Sequence, residues 1–132
     1  MNNYQRLWRL VCTYKFVLII IIFTYLGLTP APEKSVPIVY NDLFMHFAGY
    51  CVAAFSITLA FPTIRPLRAA IILIVYSLGI EIAQHFNPPR TFALSDLCAN
   101  ALGTIIGLVL VGAIRQRLKW IDKIFNYSRL AD

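Results

Sequence analysis

The stretch EIAQHFNPPRTFALSDLCANALG, residues 81–103, decides how this chain folds. One apolar run ends inside it and another begins, and Asn87-Pro88-Pro89 marks the join. A helix stops before such a pair, because the residue preceding proline is pushed out of the α region and proline has no N–H to donate. The runs on either side therefore read as two helices joined by a stiff turn. Both carry polar residues to that turn. Glu81, Gln84 and His85 close the first, Asp96 and Asn100 open the second at i and i+4, and Arg90 stands between them.

Outward from the turn, the apolar runs cover about residues 68–86 and 96–114. A further run, 43–61, ends at Pro62 and Pro66, and the first, 10–28, contains FVLIIIIFTYLGL. Each is close to the ~20 residues a helix needs to cross the hydrocarbon core. Hydrophobic residues make up 59% of the 132 and charged residues only 14%, clustered between the runs. Mean hydropathy is +0.69. The predicted fold class is all-α: a single polytopic membrane domain over residues 1–132, a bundle of four transmembrane helices. A short amphipathic helix is expected in the basic tail 115–132, where Leu118, Ile121, Ile124 and Phe125 recur at helical spacing, with a short disordered basic tail as the alternative. The first run also fits a cleaved signal peptide. Pro32 directly after Ala31 makes a poor cleavage site, so a retained helix is expected, with Lys15 snorkelling to the interface.

The net charge of +6 invites a nucleic-acid reading, but its distribution argues against one. Arg6, Arg9 and Lys15 lie at the start of the first run, Arg65 and Arg68 between the second and third, and Arg115, Arg117, Lys119, Lys123 and Arg129 after the fourth. The other connections carry Lys34 and Arg90. Basic residues alternate across the membrane, which is a topology signal and predicts both termini on the cytoplasmic side. Membrane lipids are the expected partners, nucleic acid is not.

This topology gathers the polar residues on the outer side. Asp42 and His46 open the second span at i and i+4 and join Glu81, Gln84, Arg90, Asp96 and Asn100 as a candidate ligand-binding cluster. Glu81 should lie roughly 8–10 Å below the proline turn. A carboxylate at such depth is costly unless it is paired, hydrated or protonated, so the cluster should converge. Simpler readings stand beside the functional one. Glu81 could fasten helices through Arg90 or Asn100, Asp42 could be an N-cap, and Asn100 could bond across helices.

His46, Glu81 and His85 form a weak metal-ligand candidate, with Asp96 as a further donor, but the spacing is no recognised zinc motif. No metal and no cofactor are expected. Cys12, Cys51 and Cys98 are odd in number and read as small buried apolar residues. Gly103 and Gly107 form G-x-x-x-G with Ala99 one turn earlier, and Gly49 lies in the second span. Such residues let backbones approach closely, inside the bundle or across a homodimer. Neither a catalytic triad order nor a phosphate-binding glycine loop is present, so the sequence leans away from an enzyme.

Taken together, Asp42-Leu43-Phe44-Met45-His46, Glu81-x-x-Gln84, Arg90 with Asp96 six residues on, Asn100, Gly103 and Gly107 resemble the VanZ-like family of small bacterial membrane proteins. The resemblance covers roughly residues 40–112. The family often has lysine directly after the aspartate that opens span two, where this chain has Leu43. The resemblance implies a protein of the cell envelope, in the bacterial cytoplasmic membrane, and the family's name-giving role is lowered susceptibility to teicoplanin. It implies no reaction. The favoured expectation is binding of a polar or anionic headgroup, from an envelope lipid precursor or a glycopeptide antibiotic. The alternatives are an intramembrane enzyme or metal-assisted hydrolase acting on an envelope lipid, with Glu81 as acid or base, and a structural protein serving a partner.

Overall fold

The computed structural model describes residues 3–29, 42–88 and 91–117. It contains four helices: α1 (Asn3–Leu28), α2 (Asp42–Ala60), α3 (Pro66–His85) and α4 (Leu94–Arg117). All four are long and apolar enough to cross a membrane, and no strand occurs among the described residues. The protein is a multi-pass helical membrane protein. The four helices coincide with the four apolar runs, and α1 extends back to Asn3, since nothing between there and Leu10 breaks a helix. The amphipathic segment expected beyond residue 117 lies outside the described residues, as do Lys34 and Arg90.

Local chemistry sets the ends. Pro66 opens α3 behind an extended Arg65, where its missing N–H costs nothing because that donor would be an orphan in any helix. Ala93 precedes α4, and its carbonyl accepts from the backbone N–H groups of Asp96 and Leu97. At the end of α1, Gln84 Nε2 donates to the Gly27 carbonyl at 2.9 Å and Asn87 Nδ2 to that of Leu28 at 2.6 Å. These are carbonyls that a helix C-terminus leaves without internal partners. At the opposite end of the bundle, Arg115 Nη2 does the same for the Thr58 carbonyl of α2, at 2.6 Å.

Lipid is as apolar as a leucine side chain, so the helices associate through close packing and polar contacts. The core is accordingly built from small residues. Ala53 and Ala54 of α2 meet Ala69 and Leu73 of α3, with Tyr50 and Ile57 filling between and Phe16 and Phe23 of α1 closing over them. Leu18, Ile21, Ile71, Val75, Ile105 and Val109 face outward, as lipid-facing residues should. Helices α2 and α4 pack most extensively. A Cβ at Gly103 would collide with the Phe47 carbonyl, and one at Gly107 would stand 2.7 Å from the Cys51 carbonyl oxygen. The G-x-x-x-G face is thus used inside the chain, against α2. Gly49 makes room for the Phe23 ring, 3.2 Å from where a Cβ would be. The three cysteines are free. Cys12 is buried as expected, whereas Cys51 is half-buried and Cys98 is exposed at the first turns of α4, on its outer side.

Candidate functional site

At the end where α2 and α4 begin, polar side chains from three helices form one connected group. Asp42, in the first turn of α2, has a side chain 69% exposed. One turn in, His46 is 17% exposed, and Asp96 of α4 is 14% exposed. His46 Nε2 lies 3.8 Å from Asp42 Oδ1 and 3.5 Å from Asp96 Oδ2. The two carboxylates and the imidazole offer donor atoms all within 4.8 Å of one another. Both aspartates occupy first turns of helices, where the positive end of the macrodipole favours them. The remaining oxygen of Asp96, Oδ1, accepts from the Ser95 hydroxyl at 3.2 Å.

Below this mouth the group continues inward. His46 Nδ1 meets Asn100 Oδ1 at 3.1 Å, and Asn100 Nδ2 donates to Ser77 Oγ at 2.7 Å. The Tyr50 hydroxyl faces Ser77, within electrostatic reach of Glu81 and Tyr76. Farther on, the Tyr76 and Thr24 hydroxyls lie 2.8 Å apart, one donating to the other, and the remaining proton goes to the Ile20 carbonyl, which is 2.8 Å from the Thr24 oxygen and 3.2 Å from that of Tyr76. Asn100, Ser77 and Glu81 are all buried. The exposure falls steadily from Asp42 to Glu81, which describes a site open at the surface and rooted in the bundle.

Glu81 is 0% exposed, and the backbone N–H of Ala93 donates to its Oε2 at 3.2 Å. Ala93 stands at the N-terminus of α4, so the carboxylate also meets the positive end of that helix dipole. α3 thus supplies a capping carboxylate to α4. The expected alternative bond to Asn100 is not made, since Asn100 is engaged with His46 and Ser77.

The expected cluster divides. Asp42, His46, Asp96 and Asn100 come together, and Glu81 lies behind them. Gln84 is buried but spent on the end of α1. His85 leaves the group: it is exposed, its ring edge-on to that of Phe86 at 5.4 Å. The geometry of the helix explains this. Residues spaced by four, as Leu73, Ser77 and Glu81 are, drift about 40° per step, so the buried seam of α3 passes to Gln84 and His85 turns outward. The metal-ligand set His46, Glu81 and His85 is therefore not assembled, and the group that converges is Asp42, His46 and Asp96. Arg90 lies outside the described residues.

Two members were not singled out from sequence as part of the site, although their spacing carried a signal. Ser77 lies one turn before Glu81 and Tyr50 one turn after His46, so Asp42, His46 and Tyr50 form one stripe on α2. What was missing was the neighbour each would meet.

A bundle of four spanning helices, with one acid-and-imidazole mouth at one end, defines a small multi-pass membrane protein with a built polar site. The family model described as VanZ/LLP1 matches residues 13–115, and the chain belongs to that family. It is also similar to an uncharacterized protein of Schizosaccharomyces pombe, 32% identical over 99 residues that cover 72% of this chain. The chain spans 59% of the length of that relative. No solved structure matches the chain.

Proposed function

We propose that this protein binds the polar headgroup of an amphipathic ligand at the membrane interface, through the mouth formed by Asp42, His46 and Asp96. The observation that supports this reading is the graded exposure of one connected polar group, from Asp42 at 69% through Asp96 at 14% to Asn100 at 2%. A cluster serving only to fasten helices would have no need of the open end. The two carboxylates would accept hydrogen bonds from hydroxyl, amide or ammonium groups of the ligand, and charge makes such bonds roughly twice as strong as neutral ones. Arg90, six residues before Asp96, would meet an anion of the same headgroup. The membrane would concentrate the ligand at the depth of the mouth.

The ligand classes that fit are an envelope lipid precursor and a lipophilic glycopeptide antibiotic such as teicoplanin. The setting would be the bacterial cytoplasmic membrane, with the basic tail and N-terminus inside and the mouth outside, as the alternation of basic residues suggests. Native mass spectra of wild-type protein extracted with its own lipids test this beside Asp96→Asn and Arg90→Gln at matched folded yield. A discrete adduct lost in both variants is the expected result. Well-folded wild type without any adduct, or an adduct indifferent to both substitutions, would overturn the reading.

A further inference from the structure

We infer that Asp42, His46 and Asp96 form a binding site for a divalent transition-metal cation. The inference goes beyond headgroup binding and stands without it, since it concerns these three side chains alone.

The first ground is spacing. Donor atoms held about 2.0–2.2 Å from a common ion in a tetrahedron stand roughly 3.3–3.6 Å apart. His46 Nε2 lies 3.5 Å from Asp96 Oδ2 and 3.8 Å from Asp42 Oδ1, close to two edges of such a figure. All three donor atoms lie within 4.8 Å of one another. Asp42 is the exposed member, on the first residue of α2.

The second ground is what holds the donors from behind. Metal-binding imidazoles typically give their other ring N–H to an oxygen acceptor, and ligating carboxylates are themselves hydrogen-bonded. Both arrangements are present, and both come from residues outside the three. Asn100 Nδ2 donates to Ser77, so its Oδ1 is the atom turned to His46 Nδ1 and accepts the ring proton there. Nε2 is the ring atom turned to the two carboxylates, at 3.5 and 3.8 Å, so in the neutral ring its lone pair and theirs share one space that a cation would fill. Asp96 is held the same way, with Oδ1 accepting from Ser95 and Oδ2 aimed at His46.

The third ground is the donor set. One imidazole nitrogen and two carboxylate oxygens suit zinc and manganese better than soft, thiolate-seeking ions. Three protein donors at a partly exposed mouth also leave coordination positions open, as in metal sites that take up an exogenous ligand. The third cysteine-bearing stretch contributes nothing here: Cys98 is exposed and is not among the converging donors.

The test uses the full chain, purified in detergent without added lipid and stripped of metal. Zinc and manganese chloride are titrated separately by calorimetry, and bound metal is counted after dialysis. About one ion per chain is expected for at least one of the two. Asp96→Asn and His46→Gln should weaken binding at least about tenfold, and Asn100→Leu by about 10–100-fold through loss of the support behind His46. His85→Gln should bind as wild type does. Circular dichroism and gel filtration confirm which variants are folded, and Asp42→Asn, at the exposed position, serves if the half-buried ones fail. The chain has two histidines, so nitrogen-15 spectra of the rings resolve them. Metal should shift Nε2 of His46 and leave His85 unmoved. Absence of saturable binding by folded wild type would overturn the site. So would binding that survives in every folded variant of the three donors, or a His46 ring carrying its proton on Nε2 in the presence of either ion.

Discussion

The Nδ1 atom of His46 and the Oδ1 atom of Asn100 lie 3.1 Å apart, joining the first turns of α2 to those of α4. Asn100 also reaches Ser77 of α3, so one amide ties three helices at the base of the open mouth. The helices meet in lipid, where polar contacts and close packing replace the hydrophobic drive.

Asn100→Leu therefore breaks two interhelical bonds and leaves His46 and Ser77 to find new partners. A loss of about 1–3 kcal/mol is expected. Unfolding in mixed micelles with increasing sodium dodecyl sulfate should show a lower midpoint than wild type.

Gly103→Ala should be the most damaging glycine-to-alanine change among the described residues, because the new methyl group would collide with the backbone carbonyl of Phe47, which has no rotamer to yield. About 2 kcal/mol or more is expected, within the upper range of overpacking costs. Gly112→Ala provides the contrast, since nothing lies within 4 Å of the added methyl. That variant should melt at or slightly above the wild-type temperature, alanine being the better helix former.

Glu81→Gln retains an oxygen that can accept from the Ala93 N–H, whereas Glu81→Leu does not. The leucine variant should lose about 1–3 kcal/mol, the cost of a buried donor left unpaired, and the glutamine variant distinctly less. Thermal melts followed by circular dichroism separate the two. Equal losses would mean that the charge of Glu81, rather than its bond to Ala93, holds α3 to α4.

Arg115→Leu removes the guanidinium that satisfies the Thr58 carbonyl at the end of α2. Hydrogen bonds to charged groups contribute about 1.5–3 kcal/mol, and a loss near the lower end is expected at this half-buried position. Arg117→Leu, at an exposed position two residues on, should leave the melting temperature close to that of wild type.

Much of this architecture is legible in the residues themselves. Four runs of about twenty apolar residues can only be satisfied as helices in a membrane, since each must close its own backbone hydrogen bonds there. Pro62, Pro66 and the Pro88-Pro89 pair mark the ends, because proline acts on its own neighbours and needs no tertiary partner. The placement of Asp42, His46, Asp96 and Asn100 at one end of the bundle follows from that alternation of spans and turns. Which side chains touch is another matter. Glu81, Gln84 and His85 share one stretch of helix, yet the first caps α4, the second closes the end of α1 and the third faces outward. The same holds for Ser77, whose spacing from Glu81 sets its face but which becomes a site residue only because Asn100 lies 2.7 Å away. Periodicity assigns a residue to a face of its own helix, but a partner is assigned by the rotation and depth at which helices pack. That packing rests on Gly103 and Gly107 pressing against the α2 backbone, a contact between residues more than fifty positions apart.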